Sequence, residues 1–82
     1  MKAVVNIALK NGVLDPQGKA VHRALSALKF DNVSDVRIGK QIVLTLTSKD
    51  KESAKKEVIQ MCEELLANTV IEDYEIELLG WE

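Results

Sequence analysis

Cysteine, histidine, proline and aromatic residues are scarce in this chain, which has one each of Cys, His, Pro, Phe, Tyr and Trp. A lone Cys62 excludes an internal disulfide, and one Cys with one His falls short of the three or four ligands a zinc site needs. Phe30, Tyr74 and Trp81 are too few and too scattered to serve as the stacking pairs of an RNA-reading sheet. The charges are interspersed and sum to −2, so no basic field is present and nucleic acid is not an expected partner. No apolar run approaches the roughly 20 residues of a membrane span. The N-terminus Met1-Lys2-Ala3-Val4 alternates at strand period, unlike a secretory leader. A soluble, cytoplasmic protein without a membrane partner is expected, with Cys62 as a small buried hydrophobe in a reducing compartment.

What the chain does have is clear periodicity. Its 82 residues predict one domain over 1–82, and a chain this short buries only about 60% of its unfolded surface, so a second chain would help it. Met1, Ala3, Val5, Ile7 and Leu9 share one face at period two and predict a half-buried strand ending near Lys10. Asp15 is a good helix N-cap and Pro16 fits the first helical position. Val21, Ala24, Leu25 and Leu28 then form the apolar stripe of a helix that stops near Phe30.

Val33, Val36 and Ile38 predict a short second strand, Gly39-Lys40 a tight turn, and Ile42, Leu44 and Leu46 a third strand, together a hairpin. Asp50 caps a second helix whose stripe is Ala54, Val58, Met61, Cys62, Leu65 and Leu66, with Asn68 as its left-handed stop. Tyr74, Ile76 and Leu78, alternating with Asp73, Glu75 and Glu77, predict a last strand. The order βαββαβ predicts an α+β, two-layer, ferredoxin-like arrangement, with an antiparallel sheet and both helices on one face. The other face would carry Val4, Ala8, Val43 and Leu79 among Asn6 and Thr45, too apolar to be left entirely in water. A sheet-mediated homo-oligomer is therefore expected, with Trp81, in phase with Leu79, adding to the self-association surface. Ordinary exposed aliphatics on a monomer are the alternative.

The candidates for chemistry are thin. His22 lies off the apolar stripe beside Ser26 and Lys29 and reads as a solvated helix residue, and Cys62 on the stripe is not placed as a nucleophile. Gly12 and Gly18 flank a helix N-terminus, but no phosphate-reaching Lys pattern is present and Asp15 would repel a phosphate. Glu63-Glu64 and Glu75 with Glu77 read as exposed faces or a negative rim for a partner. Arg37 and Lys40 bracket Gly39 as a cationic spot able to grip a carboxylate on another subunit, and surface turn chemistry accounts for them equally well. No catalytic, cofactor-binding or metal residues are expected in this chain.

A whole-chain pattern adds to this. Leu9-Lys10, then Gly12-Val13-Leu14-Asp15-Pro16-Gln17-Gly18 with Ala20-Val21, then Val36-Arg37-x-Gly39-Lys40, and finally Met61-Cys62-x-x-Leu65-Leu66-Ala67-Asn68-x-Val70-Ile71-Glu72-x-Tyr74 closely resemble the PurS family. That family is the small subunit of phosphoribosylformylglycinamidine synthase. Two departures stand at helix ends: Lys29 where the family often has Gly, and Thr69 where it often has Pro. The resemblance implies a non-catalytic subunit of a glutamine-dependent, ATP-using ligase of purine biosynthesis, which converts formylglycinamide ribonucleotide to formylglycinamidine ribonucleotide. It implies a glutaminase subunit and a large synthetase subunit as partners, with ATP and magnesium used by the synthetase, and a homodimer or homotetramer of this chain. Asp15, Gln17, Gly18, Arg37 and Lys40 lie in the segments that carry the resemblance and are the candidate partner interface; Val4, Ala8, Val43, Leu79 and Trp81 are the candidates for self-association. A stand-alone ferredoxin-like module that binds a small metabolite is the rival from another class, and a free-standing enzyme such as an acylphosphatase is third.

Overall fold

Apolar residues at every second position make Lys2–Leu9 a strand, β1, with Ala3, Val5 and Ile7 buried on one side and Lys2, Asn6 and Ala8 exposed on the other. In the computed structural model, which describes residues 1–81, β1 is the central strand of an antiparallel sheet. It pairs with β2 (Gly39–Thr45) along one edge and with β3 (Glu72–Leu79) along the other. The register sets Val5 opposite Ile42 and Ile76, and Ala3 opposite Leu44 and Leu78, so the inner face is apolar row by row.

Helix α2 (Lys51–Met61) covers that inner face. Asp50 starts it: its carboxylate accepts the backbone N–H groups of Glu52 and Ser53, both at 3.3 Å, and the Ser53 hydroxyl at 2.8 Å. Ala54, Val58 and Cys62 from this side are fully buried with Ala3, Val5 and Ile7. Side chains such as Val58 and Ile7 contribute about 1.5–3 kcal/mol each through burial. One wide π turn, Cys62–Leu66, ends the helix, with the Ala67 N–H donating to the Cys62 carbonyl at 3.0 Å.

Helix α1 (Pro16–Ala27) begins as its sequence requires, with Asp15 as cap and Pro16 in the first turn. It ends in a Schellman motif: the Lys29 N–H donates to the Ser26 carbonyl and the Phe30 N–H to the Leu25 carbonyl, both at 3.0 Å. Lys29 occupies the left-handed position, with φ of 73°. Gly18 is the only buried residue of α1, and the helix makes no substantial contact with any strand or with α2. The molecule is accordingly long, 49 × 27 × 14 Å with a radius of gyration of 16.2 Å, against about 12 Å for a compact chain of this length.

The α+β class and the two-helix, antiparallel ferredoxin-like arrangement hold, with five local corrections. The sheet has three strands, because residues 33–38 form no ladder and the Ile38 N–H is taken by the Asp15 carboxylate instead. Gly39-Lys40 is no hairpin turn; both residues lie inside β2, opposite Ala8 and Ile7. Only α2 packs on the sheet, α1 being held apart. The stripe of the second helix does not run through Leu65, because the extra residue of the π turn rotates that side chain outward to 83% exposure. Asn68 is not left-handed either; its side chain accepts the Val70 N–H at 3.2 Å and its carbonyl accepts the N–H groups of Ile71 and Glu72.

Candidate functional site

The corner between β1 and α1 is the most constrained irregular part of the molecule. Asp15 is only 5% exposed. One of its carboxylate oxygens accepts the Gly18 N–H at 2.9 Å as a helix cap, and the other accepts the Ile38 N–H at 2.8 Å. These backbone donors, Gly18 foremost and Ile38 next, outweigh the effect of desolvation and, with the nearby Arg37 charge, hold the Asp15 carboxyl below the ordinary aspartate value. Gly18 is required by space: a Cβ there would collide with the Val36 carbonyl oxygen and crowd the Asp15 carboxylate.

Arg37 braces the same corner from the other strand-ward side. Its guanidinium donates to the carbonyls of Val13 at 3.1 Å, Leu9 at 3.2 Å and Lys10 at 3.1 Å. The group is exposed, yet its donors are largely spent within the chain. Lys40 projects from β2 toward Glu72 of β3, 3.8 Å away. Gln17 is exposed and, with Asp15, Lys40 and Glu72, lines a cleft of about 260 Å³. Of the five candidate interface residues, therefore, Asp15 and Gly18 lie inside and shape the corner, while Gln17, Arg37 and Lys40 present its surface.

The self-association candidates gather on the open face of the sheet, except one. Val4 lies opposite Val43 on one side and Glu77 on the other, and Ala8 opposite Gly39 and Asp73. Val43 is 53% exposed and Leu79 40%. The polar centre of this face is Asn6, whose side-chain oxygen accepts the Gln41 amide at 3.0 Å. Asp73, Glu75 and Glu77 of β3 share the face, an acidic edge beside its apolar residues that the strand alternation already implied. Trp81 is not in strand phase, since β3 ends at Leu79 and Gly80 turns with φ of 97°. The indole is half-buried, and its Nε1 has no hydrogen-bond partner among the described residues. Glu82 lies outside the described residues.

Other titratable groups are tied into the fold. His22 is half-buried and its Nε2 donates to the Val33 carbonyl at 2.8 Å, pinning the 31–38 segment to α1 where a solvated side chain was expected. Cys62 is buried, as its place on the stripe implied, and desolvation raises its thiol above the ordinary value. The Tyr74 hydroxyl donates to Glu63 at 2.8 Å; this bond, with burial and the Glu63 charge, raises the phenol above its ordinary value. Among the described residues no group of three or more His, Cys, Asp or Glu is placed to hold a metal ion.

Comparison with known proteins gives the same reading independently. Residues 2–80 match the profile of the PurS family, described as phosphoribosylformylglycinamidine (FGAM) synthase. The chain is 51% identical to the PurS subunit of that synthase from Bacillus subtilis, over 94% of this chain and 90% of that one. It is 48% identical to the corresponding subunit from Methanocaldococcus jannaschii, over 94% and 93%. The crystal structure of the M. jannaschii protein, described as a subunit of formylglycinamide ribonucleotide amidotransferase in the purine biosynthetic pathway, superimposes with a TM-score of 0.83. The structure of PurLQS from Thermotoga maritima does so with a TM-score of 0.85, at 37% identity and 93% coverage of both chains.

Proposed function

This chain belongs to the PurS family and is a subunit of phosphoribosylformylglycinamidine synthase, and we propose that its part in that ligase is to bridge a glutaminase subunit and a large ATP-dependent synthetase subunit. The glutaminase would release ammonia from glutamine, and the synthetase would use ATP and magnesium to convert formylglycinamide ribonucleotide to formylglycinamidine ribonucleotide. This chain would keep the two in register and the ammonia out of bulk water. The observation that carries the reading is the near full-length likeness to the PurLQS structure, which also disfavours a stand-alone metabolite-binding module. The reading puts the complex in the cytoplasm, where a free thiol such as Cys62 stays reduced. No helix among the described residues is long and apolar enough to cross a membrane.

Partner docking falls to the exposed part of the braced corner, Gln17, Arg37 and Lys40, which Asp15 and Gly18 hold in shape. Loop residues positioned by a rigid frame suit recognition. Self-association into a dimer or tetramer uses the open sheet face through Val4, Ala8, Val43 and Leu79. Val43→Glu places a charge on this exposed position and should lower the sedimenting mass while leaving the circular dichroism unchanged; a folded variant that keeps the wild-type mass removes this face from self-association.

Reconstitution tests the main reading. The isolated chain is expected to hydrolyse neither glutamine nor ATP, and to raise glutamine-dependent amidotransfer when added to the glutaminase and the synthetase. Turnover by the isolated chain, or amidotransfer that ignores its addition, would overturn it.

A further inference from the structure

Of the four asparagines in the chain, only Asn11 is followed by glycine. Asn6, Asn32 and Asn68 precede Ile7, Val33 and Thr69, whose branched Cβ atoms crowd the backbone nitrogen that follows each asparagine. Two of the three are also engaged: the Asn6 side-chain oxygen accepts the Gln41 amide, and that of Asn68 accepts the Val70 N–H. Asn11 and Gly12 are both exposed, in a tight turn between β1 and α1 that the Val13 N–H closes by donating to the Lys10 carbonyl at 3.1 Å. Gly12 has a φ of 86° and Asn11 is not at positive φ, the signature of a type II turn.

That turn holds one free peptide inside a clamped corner. The Arg37 guanidinium bonds the carbonyls of Leu9 and Lys10 before it and of Val13 after it. Between them, the Asn11–Gly12 peptide makes no hydrogen bond at its N–H or its carbonyl among the described residues, and the Asn11 side chain makes none either. A Cβ added at Gly12 would meet no atom within 4 Å. The peptide plane can therefore rotate without breaking a bond or displacing a neighbour, and glycine accepts either sign of φ as it does so. Such a rotation swings the Gly12 nitrogen toward the carbonyl carbon of the Asn11 side chain, and Gly12 has no side chain of its own to bar the approach.

We propose that Asn11 is a site of spontaneous deamidation and that its isoaspartyl product opens the Arg37 brace. The Gly12 nitrogen attacks the Asn11 Cγ, the bond from Cγ to the side-chain nitrogen breaks, and the proton given up by Gly12 leaves with that nitrogen as ammonia. The succinimide ring so formed takes up one water. Opening at Cγ yields aspartate, and opening at the backbone carbonyl yields isoaspartate, in which the main chain runs through the former side chain. One water enters and one ammonia leaves, with no oxidation or reduction. Isoaspartate puts an extra carbon into the backbone between Lys10 and Val13 and frees a carboxylate there. The Val13 to Lys10 turn bond and the Arg37 bonds that flank it cannot all be kept across the longer path. This chemistry belongs to the chain alone and does not rest on the ligase reading.

The test ages the purified full chain for days in mildly alkaline buffer beside Asn11→Gln, whose longer side chain closes the corresponding ring far more slowly. Peptide mapping by mass spectrometry should show conversion of amide to acid at Asn11, faster as pH rises, while Asn6, Asn32 and Asn68 keep their amides. Labelling by an isoaspartyl methyltransferase should mark the peptide that contains Asn11 and leave Asn11→Gln unmarked. An Asn11 that keeps its amide while a free peptide spanning Leu9 to Leu14 is converted, or conversion no faster at Asn11 than at the other three asparagines, overturns the proposal. The effect on the brace is read on the isoaspartyl form after chromatographic separation. It should melt at a lower temperature than Asn11→Asp, which carries the same charge on a backbone of ordinary length. Equal melting temperatures would show that the Arg37 brace tolerates the extra carbon, and would overturn that half of the proposal.

Discussion

The Asp15 carboxylate and the Ile38 N–H, 23 residues apart in sequence, meet in a hydrogen bond of 2.8 Å that joins the start of α1 to the residue before β2. One carboxylate thus does two jobs, capping a helix and replacing a ladder partner, and only its ionised form does both fully. Asp15 is held below the ordinary value of 3.8, and Asp50, with the Ser53 hydroxyl bond as the main cause, shifts in the same direction.

A carboxyl group with a depressed folded-state value contributes stability that is complete above its unfolded value and disappears as pH falls through the folded value. Thermal melts from pH 7 to pH 2.5 should therefore show wild-type stability declining below about pH 4. Asp15→Asn should lower the melting temperature at pH 7 by about 4–8 °C, the size of a lost cap in a domain of this length. The difference from wild type should shrink toward pH 2.5. A difference independent of pH would mean that the charge of Asp15 is irrelevant to the brace.

Lys29 is the one non-glycine residue at positive φ among the described residues. A left-handed conformation costs an L-residue about 1–2 kcal/mol, part of which glycine returns through its greater freedom in the unfolded chain. Lys29→Gly should therefore stabilise the protein by roughly 0.5–1 kcal/mol, seen as a rise of about 3–6 °C in melting temperature. No rise would show that the end of α1 is held by something other than the Schellman geometry.

Tyr74 is the only tyrosine of the chain, so its ionisation can be followed by ultraviolet absorbance without ambiguity. Its folded value lies above 10.0, through the Glu63 hydrogen bond first. Its contribution is present below the unfolded value and lost as pH rises through the folded one. The native titration should be displaced upward relative to urea-unfolded protein, and Glu63→Gln should bring it back toward the ordinary value.

Within the ligase, Gln17→Ala and Lys40→Ala should fold normally and raise the concentration of this chain needed for half-maximal amidotransfer. Arg37→Ala should also lower the melting temperature, because three carbonyls of the β1–α1 corner lose their donor. Binding by Arg37→Ala must therefore be measured at a temperature where circular dichroism shows it folded. Normal activation by all three variants would move the docking surface elsewhere.

Both helix starts were legible because Asp15-Pro16 and Asp50 act on donors two or three residues away. β1 and β3 were legible because each buries alternate residues. The supposed strand at 33–38 shows the limit of that logic: alternation reports an extended backbone with two faces, and it carries no information on whether the backbone partner is a ladder or the side chain of Asp15. The π turn was equally hidden, since Met61, Cys62, Leu65 and Leu66 fit ordinary helical spacing. Gln17 and Lys40 were singled out as surface residues and stay so. The role of Arg37 within the chain depends on contacts 24 to 28 residues away, which no local pattern records.

The sheet order β2-β1-β3 also dictates a sequence of events during synthesis. β1 pairs along one side with residues 39–45 and along the other with residues 72–79, so the first strand made is the last to be fully covered. A nascent chain whose 72–79 segment is still in the ribosomal tunnel can form only a two-stranded ribbon, with one edge of β1 open. Such an edge is a template for wrong pairing. The risk falls when β3 arrives, and the like charges of Asp73, Glu75 and Glu77 oppose pairing of that strand with another copy of itself before it docks.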